Sequence, residues 1–258
     1  MELDQIYSSD SHTVAFNFYA AGPNKSDTIC ILLHGMFSDK TENGRFPILA
    51  GVLNEAGFDV LCFDFRGHGE SSLDSSKFSV SGAFDDLAAV VSSVNGMNYR
   101  HVNLIASSFF SCIAVLYLAS PSRNPINKLA LLNPVVDFDR SILNTKCSFV
   151  SPMISDALVD RIEKTGEGTL SNGFVVSRQL LSELRTIKPY SYIETIDVPL
   201  VVYHGSLDEI VDVQITKEYF SNKEKCDLHI IEGGTHAFKN QTHQQYVFQH
   251  LRNWLGRC

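Results

Sequence analysis

Leu104-Ile105-Ala106-Ser107-Ser108-Phe109-Phe110-Ser111-Cys112 joins a short apolar run, Val102 to Ile105, to an apolar stretch that continues through Ile113, Leu116 and Tyr117. The first part reads as a buried strand and the second as a helix. A serine on such a sharp strand-to-helix turn is exposed, and the helix N-terminus beside it offers free amides and a positive dipole to an anion. The pattern G-x-S-x-G fits with Ser108 at its centre, but Ala106 and Phe110 stand where the glycines would be. Ala106 is a mild departure, whereas Phe110 places a ring where there is usually no side chain. Ser107 competes for the central position, with bulky Ile105 and Phe109 flanking it. Two residues should separate the last strand residue, Ile105, from the nucleophile, which favours Ser108.

Working outward from this turn, further runs rich in β-branched residues recur at Thr28 to Leu33, Phe58 to Phe63, Leu129 to Leu132, Leu200 to Tyr203 and Leu228 to Ile231. Continuous apolarity over so few residues suits strands buried on both faces. Helical spacing lies between them: Phe46, Leu49, Ala50 and Leu53 before Gly57; Val80, Ala83, Phe84, Leu87, Val91 and Val94; and Val247, Leu251, Trp254 and Leu255 at the end. The repeated order of strand, helix and strand predicts an α/β fold, a mostly parallel central sheet covered by helices on both faces. His12 to Tyr19 alternates and is expected to add an antiparallel edge strand. From Pro134 to Val198 about sixty residues interrupt the rhythm, where a plain connection needs only ~2 to 6. Residues 1–133 and 199–258 therefore read as the core, and residues 134–198 as a small helical lid over the C-terminal edge of the sheet. The plainer alternative is a subdomain far from any site.

Ligands of open α/β sheets bind at the C-terminal strand ends, so the loops there hold the candidate chemistry. His34-Gly35-Met36-Phe37 follows the first buried strand; its glycine permits a tight turn that leaves the next amide free. Asp64-Phe65-Arg66-Gly67-His68-Gly69-Glu70-Ser71 makes a compact turn expected to brace its neighbours, with His68 as a hydrogen-bonding brace. A serine hydroxyl needs a base, and the base an acid to orient it. Asp208 lies a few residues beyond one buried strand, and His236 follows the last strand on a loop loosened by Gly233 and Gly234. Glu209, Asp212, Asp137 and Asp139 are rival acids, and His204 and His243 rival bases. Serine, aspartate and histidine in that chain order, each just past a strand, are the α/β-hydrolase arrangement.

On these residues the sequence resembles the α/β-hydrolase superfamily of serine hydrolases along essentially its whole length. Ser38-Asp39-Lys40 through Phe46, then Asp64 to Ser71 and Phe78-Ser79-Val80-Ser81, look most like the small carboxylesterases that include cinnamoyl and feruloyl esterases. The spacing from Val198-Pro199-Leu200 through His236 is similar to theirs too. The resemblance implies Ser108 as nucleophile, His236 as base and Asp208 as acid, with the Met36 and Phe109 amides as oxyanion hole. It also implies hydrolysis of an ester or thioester through an acyl-enzyme, without metal or redox cofactor. Those esterases usually carry G-x-S-x-G-G at the turn. The glycine-poor turn here is similar instead to the acyl-carrier-protein thioesterases of bacterial bioluminescence, which adds a carrier-bound acyl group and acyl transfer as alternatives. Phe110 motivates a reading of another class, an inert hydrolase-fold binding protein. Acyl and leaving groups, and oligomeric state, are not legible in the residues.

Composition narrows the partners. With 258 residues, 44% hydrophobic, and 29 acidic against 21 basic side chains, the chain is large enough for a substantial core and carries a net charge of −8. That balance opposes capture by nucleic acid or an anionic membrane surface, and no apolar stretch approaches the ~18 residues of a membrane span. Met1 to Asp10 is polar and acidic, unlike a secretory signal, so a cytoplasmic location is expected. Cys30, Cys62, Cys112, Cys147, Cys226 and Cys258 are far apart along the chain, read as reduced thiols, and suggest no metal cage.

Overall fold

The computed structural model describes residues 5–23, 26–121, 123, 125–145 and 154–257. Cys147, Phe149, Cys258 and the first four residues of the N-terminal stretch lie outside the described residues. The central sheet has seven strands in the order β11-β10-β7-β6-β4-β5-β3. They are β3 (Phe16–Tyr19), β4 (Thr28–Leu33), β5 (Asp59–Phe63), β6 (His101–Ser107), β7 (Lys128–Leu132), β10 (Leu200–Gly205) and β11 (Cys226–Ile231). All neighbours pair in parallel except β3, which runs antiparallel to β5 at one edge. The alternating stretch is thus an edge strand, and its first part forms instead a short ribbon of β1 (Ile6–Tyr7) with β2 (Thr13–Val14).

The helices α1 (Arg45–Asn54), α2 (Val80–Asn95), α3 (Ser111–Ala119), α6 (Val213–Phe220) and α7 (Gln241–Leu255) complete the core. Because side chains alternate along a strand, one sheet feeds two cores. Ile29, Ile31 and Leu33 of β4 pack with α2 and α3, while Cys30 and Leu32 pack with α1 and α7. Strand β4 has β5 on one side and β6 on the other, so chain direction across the sheet reverses there. That reversal opens a crevice at the carboxyl ends of β4 and β6, where the His34 loop and the Ser108 turn emerge.

The segment from Pro134 to Val198 is not purely helical. Besides α4 (Asp156–Thr165), α5 (Arg178–Thr186) and a 3-10 turn at Pro189–Thr195, it holds an antiparallel hairpin of β8 (Glu167–Thr169) and β9 (Val175–Ser177). Gly166, with φ 95°, ends α4 in the left-handed conformation and turns the chain into β8. Short apolar runs do not by themselves distinguish such a hairpin from a helix turn. The hairpin is anchored to the core where Ser75 Oγ accepts the Val175 amide at 2.9 Å, and Phe174 lies 5.1 Å from Phe37. Glu183 of α5 accepts the Val80 amide at the start of α2.

Candidate active site

Ser108 follows β6 directly with φ 49°, a left-handed backbone that a residue with a side chain adopts only when its surroundings impose it. A 3-10 turn, Ser108–Phe110, leads directly into α3. The Ser108 carbonyl accepts the Val135 amide at 3.0 Å, which fastens the turn to the neighbouring loop. Gly35 is closely confined here: a Cβ on it would lie 3.3 Å from Ser108 Cβ and 3.2 Å from Glu42 Oε1.

Ser108 Oγ donates to His236 Nε2 at 2.9 Å. His236 Nδ1 donates to Asp208 Oδ2 at 2.8 Å, since the carboxylate can only accept. Three loops, after β6, β10 and β11, thus meet in one hydrogen-bonded chain. Backbone contact brings the last two together, because Gly205 sits against Gly234, whose carbonyl oxygen would be 2.2 Å from any Cβ at 205. The Asp208 carboxylate is wholly buried. Its Oδ1 accepts the Ile210 and Val211 amides at 2.8 Å each. Burial works to raise its pKa, but hydrogen bonds from His204 and His236 outweigh this and hold it well below the usual carboxylate range.

The rival residues are engaged elsewhere. Ser107 Oγ donates to Glu42 at 2.9 Å, away from the histidine. Glu209 accepts the His236 amide, Asp212 caps α6 through the Gln214 amide, Asp137 accepts from the Tyr219 hydroxyl, and Asp139 from Asn144. His243 lies in α7. His204, a rival base by sequence, is fully buried behind the acid: its Nε2 lies 3.1 Å from Asp208 Oδ2 and 3.1 Å from the Val211 carbonyl. Both of these oxygens can only accept, so Nε2 carries the proton, and Nδ1 accepts from the Thr216 hydroxyl at 2.7 Å. Met36 begins the loop beside Ser108, half-buried, and Phe109 is the first residue past Ser108 at a helical N-terminus, where amides lack intrahelical acceptors.

A family described as "Serine aminopeptidase, S33" matches residues 24–243. The chain belongs to this family. One curated relative of this S33-family chain, described as "Putative non-heme chloroperoxidase" from Synechocystis sp., is 25% identical over 260 residues, covering 87% of this chain and 90% of the relative. Among solved structures, the chain is similar to Est1E from Butyrivibrio proteoclasticus with ferulic acid bound, at a TM-score of 0.80 and 19% identity over 97% of each chain. It is also similar to the esterase Pf2001 of Pyrococcus furiosus, at a TM-score of 0.69 and 19% identity over 97% of this chain and 88% of that one. These likenesses establish the α/β-hydrolase fold.

Three parts of the candidate site escape a reading by motif. The first is Glu42, 3% exposed, whose carboxylate accepts the Gly35 amide at 2.7 Å, the Ser107 hydroxyl and the Arg45 guanidinium at 2.6 Å. Arg45 in turn donates to the Ala237 carbonyl at 2.8 Å, beside His236. One ion pair therefore ties together the loops after β4, β6 and β11. The spacing Glu42-x-x-Arg45 was its one visible signal, and an acid three residues before an arginine is common on helices. The second is Asn133, at the end of β7, which accepts the Gly205 amide at 2.9 Å and donates to the His236 carbonyl. The third is the bed of Phe110. Its ring is fully buried, stacked on Phe65 at 3.8 Å and 4°, with His34 and His68 edge-on at 4.9 and 5.3 Å. The missing glycine is thus accommodated by aromatic packing. His68, expected as a brace, accordingly packs its ring here while Nδ1 donates to the Arg66 carbonyl at 3.0 Å. Burial, and then His34, push the His68 pKa down to about 3.

Proposed function

We propose that the chain is a serine hydrolase that cleaves a carboxylic ester or thioester through an acyl-enzyme on Ser108. The observation that carries this reading is the hydrogen-bonded chain from Asp208 through His236 to Ser108, at 2.8 and 2.9 Å. Ser108 Oγ attacks the acyl carbonyl while its proton passes to His236 Nε2. The Met36 and Phe109 amides receive the developing oxyanion, and His236 returns the proton to the departing alcohol or thiol. Water, activated by the same imidazole, then breaks the Ser108 ester and releases the acid. Asp208 stays ionised throughout, since its neighbours favour its charged form, and stabilises the imidazolium. Water delivers the hydroxyl of the product acid, so the reaction as written balances with no further co-reactant.

Residues 134–198 act in this reading as a lid. Phe174 of its hairpin packs on Phe37, next to Met36, and forms one wall beside the proposed oxyanion hole. An apolar or aryl acyl group suits such a wall. The inert reading rests on Phe110, but that ring faces Phe65, His34 and His68, and Ser108 Oγ is within hydrogen-bond reach of His236.

Fluorophosphonate labelling tests the assignment. The folded protein should label stoichiometrically and Ser108→Ala should not; absent labelling, or undiminished labelling of the variant, would sink it. A panel of p-nitrophenyl esters, acyl thioesters and acyl-carrier thioesters of graded length then separates esterase from thioesterase, and adding alcohol acceptors reveals acyl transfer.

A further inference from the structure

At the opposite end of the sheet from Ser108, three side chains of metal-binding type converge. Asp227 and His229 are two residues apart on β11 and so share one face, the face covered by α7, which contributes His250. One donor atom from each lies within 4.8 Å of the other two. Around Zn2+, with bonds of about 2.0–2.1 Å, tetrahedral donors stand roughly 3.4 Å apart. Rotamer adjustment of these half-exposed side chains closes the difference.

Two details set the cluster apart from an ordinary surface ion pair. Asp227 Oδ1 is 2.8 Å from His229 Nε2, yet that buried nitrogen has no hydrogen-bond partner among the described residues. His250, moreover, is held by the hydroxyl of Tyr203 at 2.7 Å, from a side chain otherwise buried in the sheet. Ligand histidines are characteristically oriented through such an outer partner. The Tyr203 ring also stacks on His229 at 5.3 Å, so one tyrosine supports both imidazoles.

We propose that Asp227, His229 and His250 bind one divalent transition-metal ion of the Zn2+ type, pinning the terminal helix α7 to the edge strand β11. Two imidazoles and one carboxylate, with water completing the shell, match Zn2+ and disfavour Mg2+, which prefers oxygen donors. The site lies away from Ser108, so it stands or falls independently of the hydrolase reading.

Calorimetric titration of chelator-treated, dialysed full-length protein with ZnCl2 and with MgCl2, together with thermal melts, tests the proposal. One Zn2+ per chain should bind at micromolar concentration and raise Tm by several degrees, and Mg2+ should do neither. His229→Gln and Asp227→Asn, which keep side-chain size, should lose at least tenfold in Zn2+ affinity and the Tm gain, while their metal-free melts and fluorophosphonate labelling match the parent. Absence of saturable binding, or affinity undiminished in both variants, overturns the site. Binding without a Tm gain overturns the pinning role.

Discussion

Ser108 holds a φ of 49° at a cost of order 1–3 kcal/mol, and its neighbours supply the reason it persists. Its carbonyl is tied to Val135, its Cβ faces Gly35, and its predecessor Ser107 is tied to Glu42. Glu42 is the residue on which most of this depends, since its buried carboxylate joins the proposed oxyanion loop to the serine turn and, through Arg45, to the histidine loop. Replacing it by glutamine removes the charge and turns a donor toward groups that donate. We expect Glu42→Gln to lower kcat about 100-fold with a much smaller change in KM, because misplacement by about 1 Å at a reacting centre has that effect. Steady-state kinetics on the best ester of the panel check it; an unchanged kcat would reduce Glu42 to a structural ion pair. The signal for Ser108, Asp208 and His236 was legible because each lies in the short loop that directly follows a buried strand. Glu42 follows a loop whose path depends on a hydrogen bond to Gly35, and no periodicity encodes that.

At the scale of elements, the turn from β6 into α3 shows how a departure from a motif is absorbed. Phe110 fills the space between β4, the Asp64 to Ser71 turn and α2, where His34, Phe65, His68 and Phe78 meet it. Truncating it to Ala should destabilise the fold by ~3–5 kcal/mol, read from urea unfolding, because the surrounding rings belong to rigid elements and cannot collapse into the cavity. A loss below ~1 kcal/mol would show that the ring is dispensable packing. The strand cores were legible, because burial on both faces forces continuous apolarity: Thr28–Leu33 coincides with the predicted run, whereas β6 continues through Ala106 and Ser107, two residues past the expected strand end at Ile105. The β8–β9 hairpin was not legible. Its strands have three residues each, and Gly168 packs against Leu158 and Ile162 of α4, a partner that only folding supplies.

At the scale of the molecule, the buried histidines predict how stability follows pH. In the unfolded chain His68 takes a proton near pH 6.5, but in the folded chain burial delays this to about 3. His34 is shifted in the same direction, first by burial. Between those values the unfolded state binds more protons, so stability falls as pH falls, by up to ~1.4 kcal/mol per pH unit for each histidine. Asp208 acts in the same sense further into acid: its contribution is complete above the unfolded carboxylate value of about 3.9 and is lost as pH falls through its lower folded value. Urea midpoints from pH 4.5 to 7.5 should therefore drop toward acid, and His68→Gln should flatten that limb. An equally steep limb in the variant would assign the acid sensitivity elsewhere.

The sequence by itself determined the parallel sheet, the two covering layers of helices and the three strand-end residues Ser108, Asp208 and His236, because burial patterns and strand-end offsets are local along the chain. It left the supporting groups dark. Glu42 and Arg45 reach the Gly35, Ser107 and Ala237 loops, Asn133 bridges Gly205 and His236, His204 stands behind Asp208, and His250 meets Asp227 and His229 from another element. Each of these meetings joins residues far apart in the chain, and the order of strands in the sheet, not spacing in the sequence, sets which strand ends become neighbours.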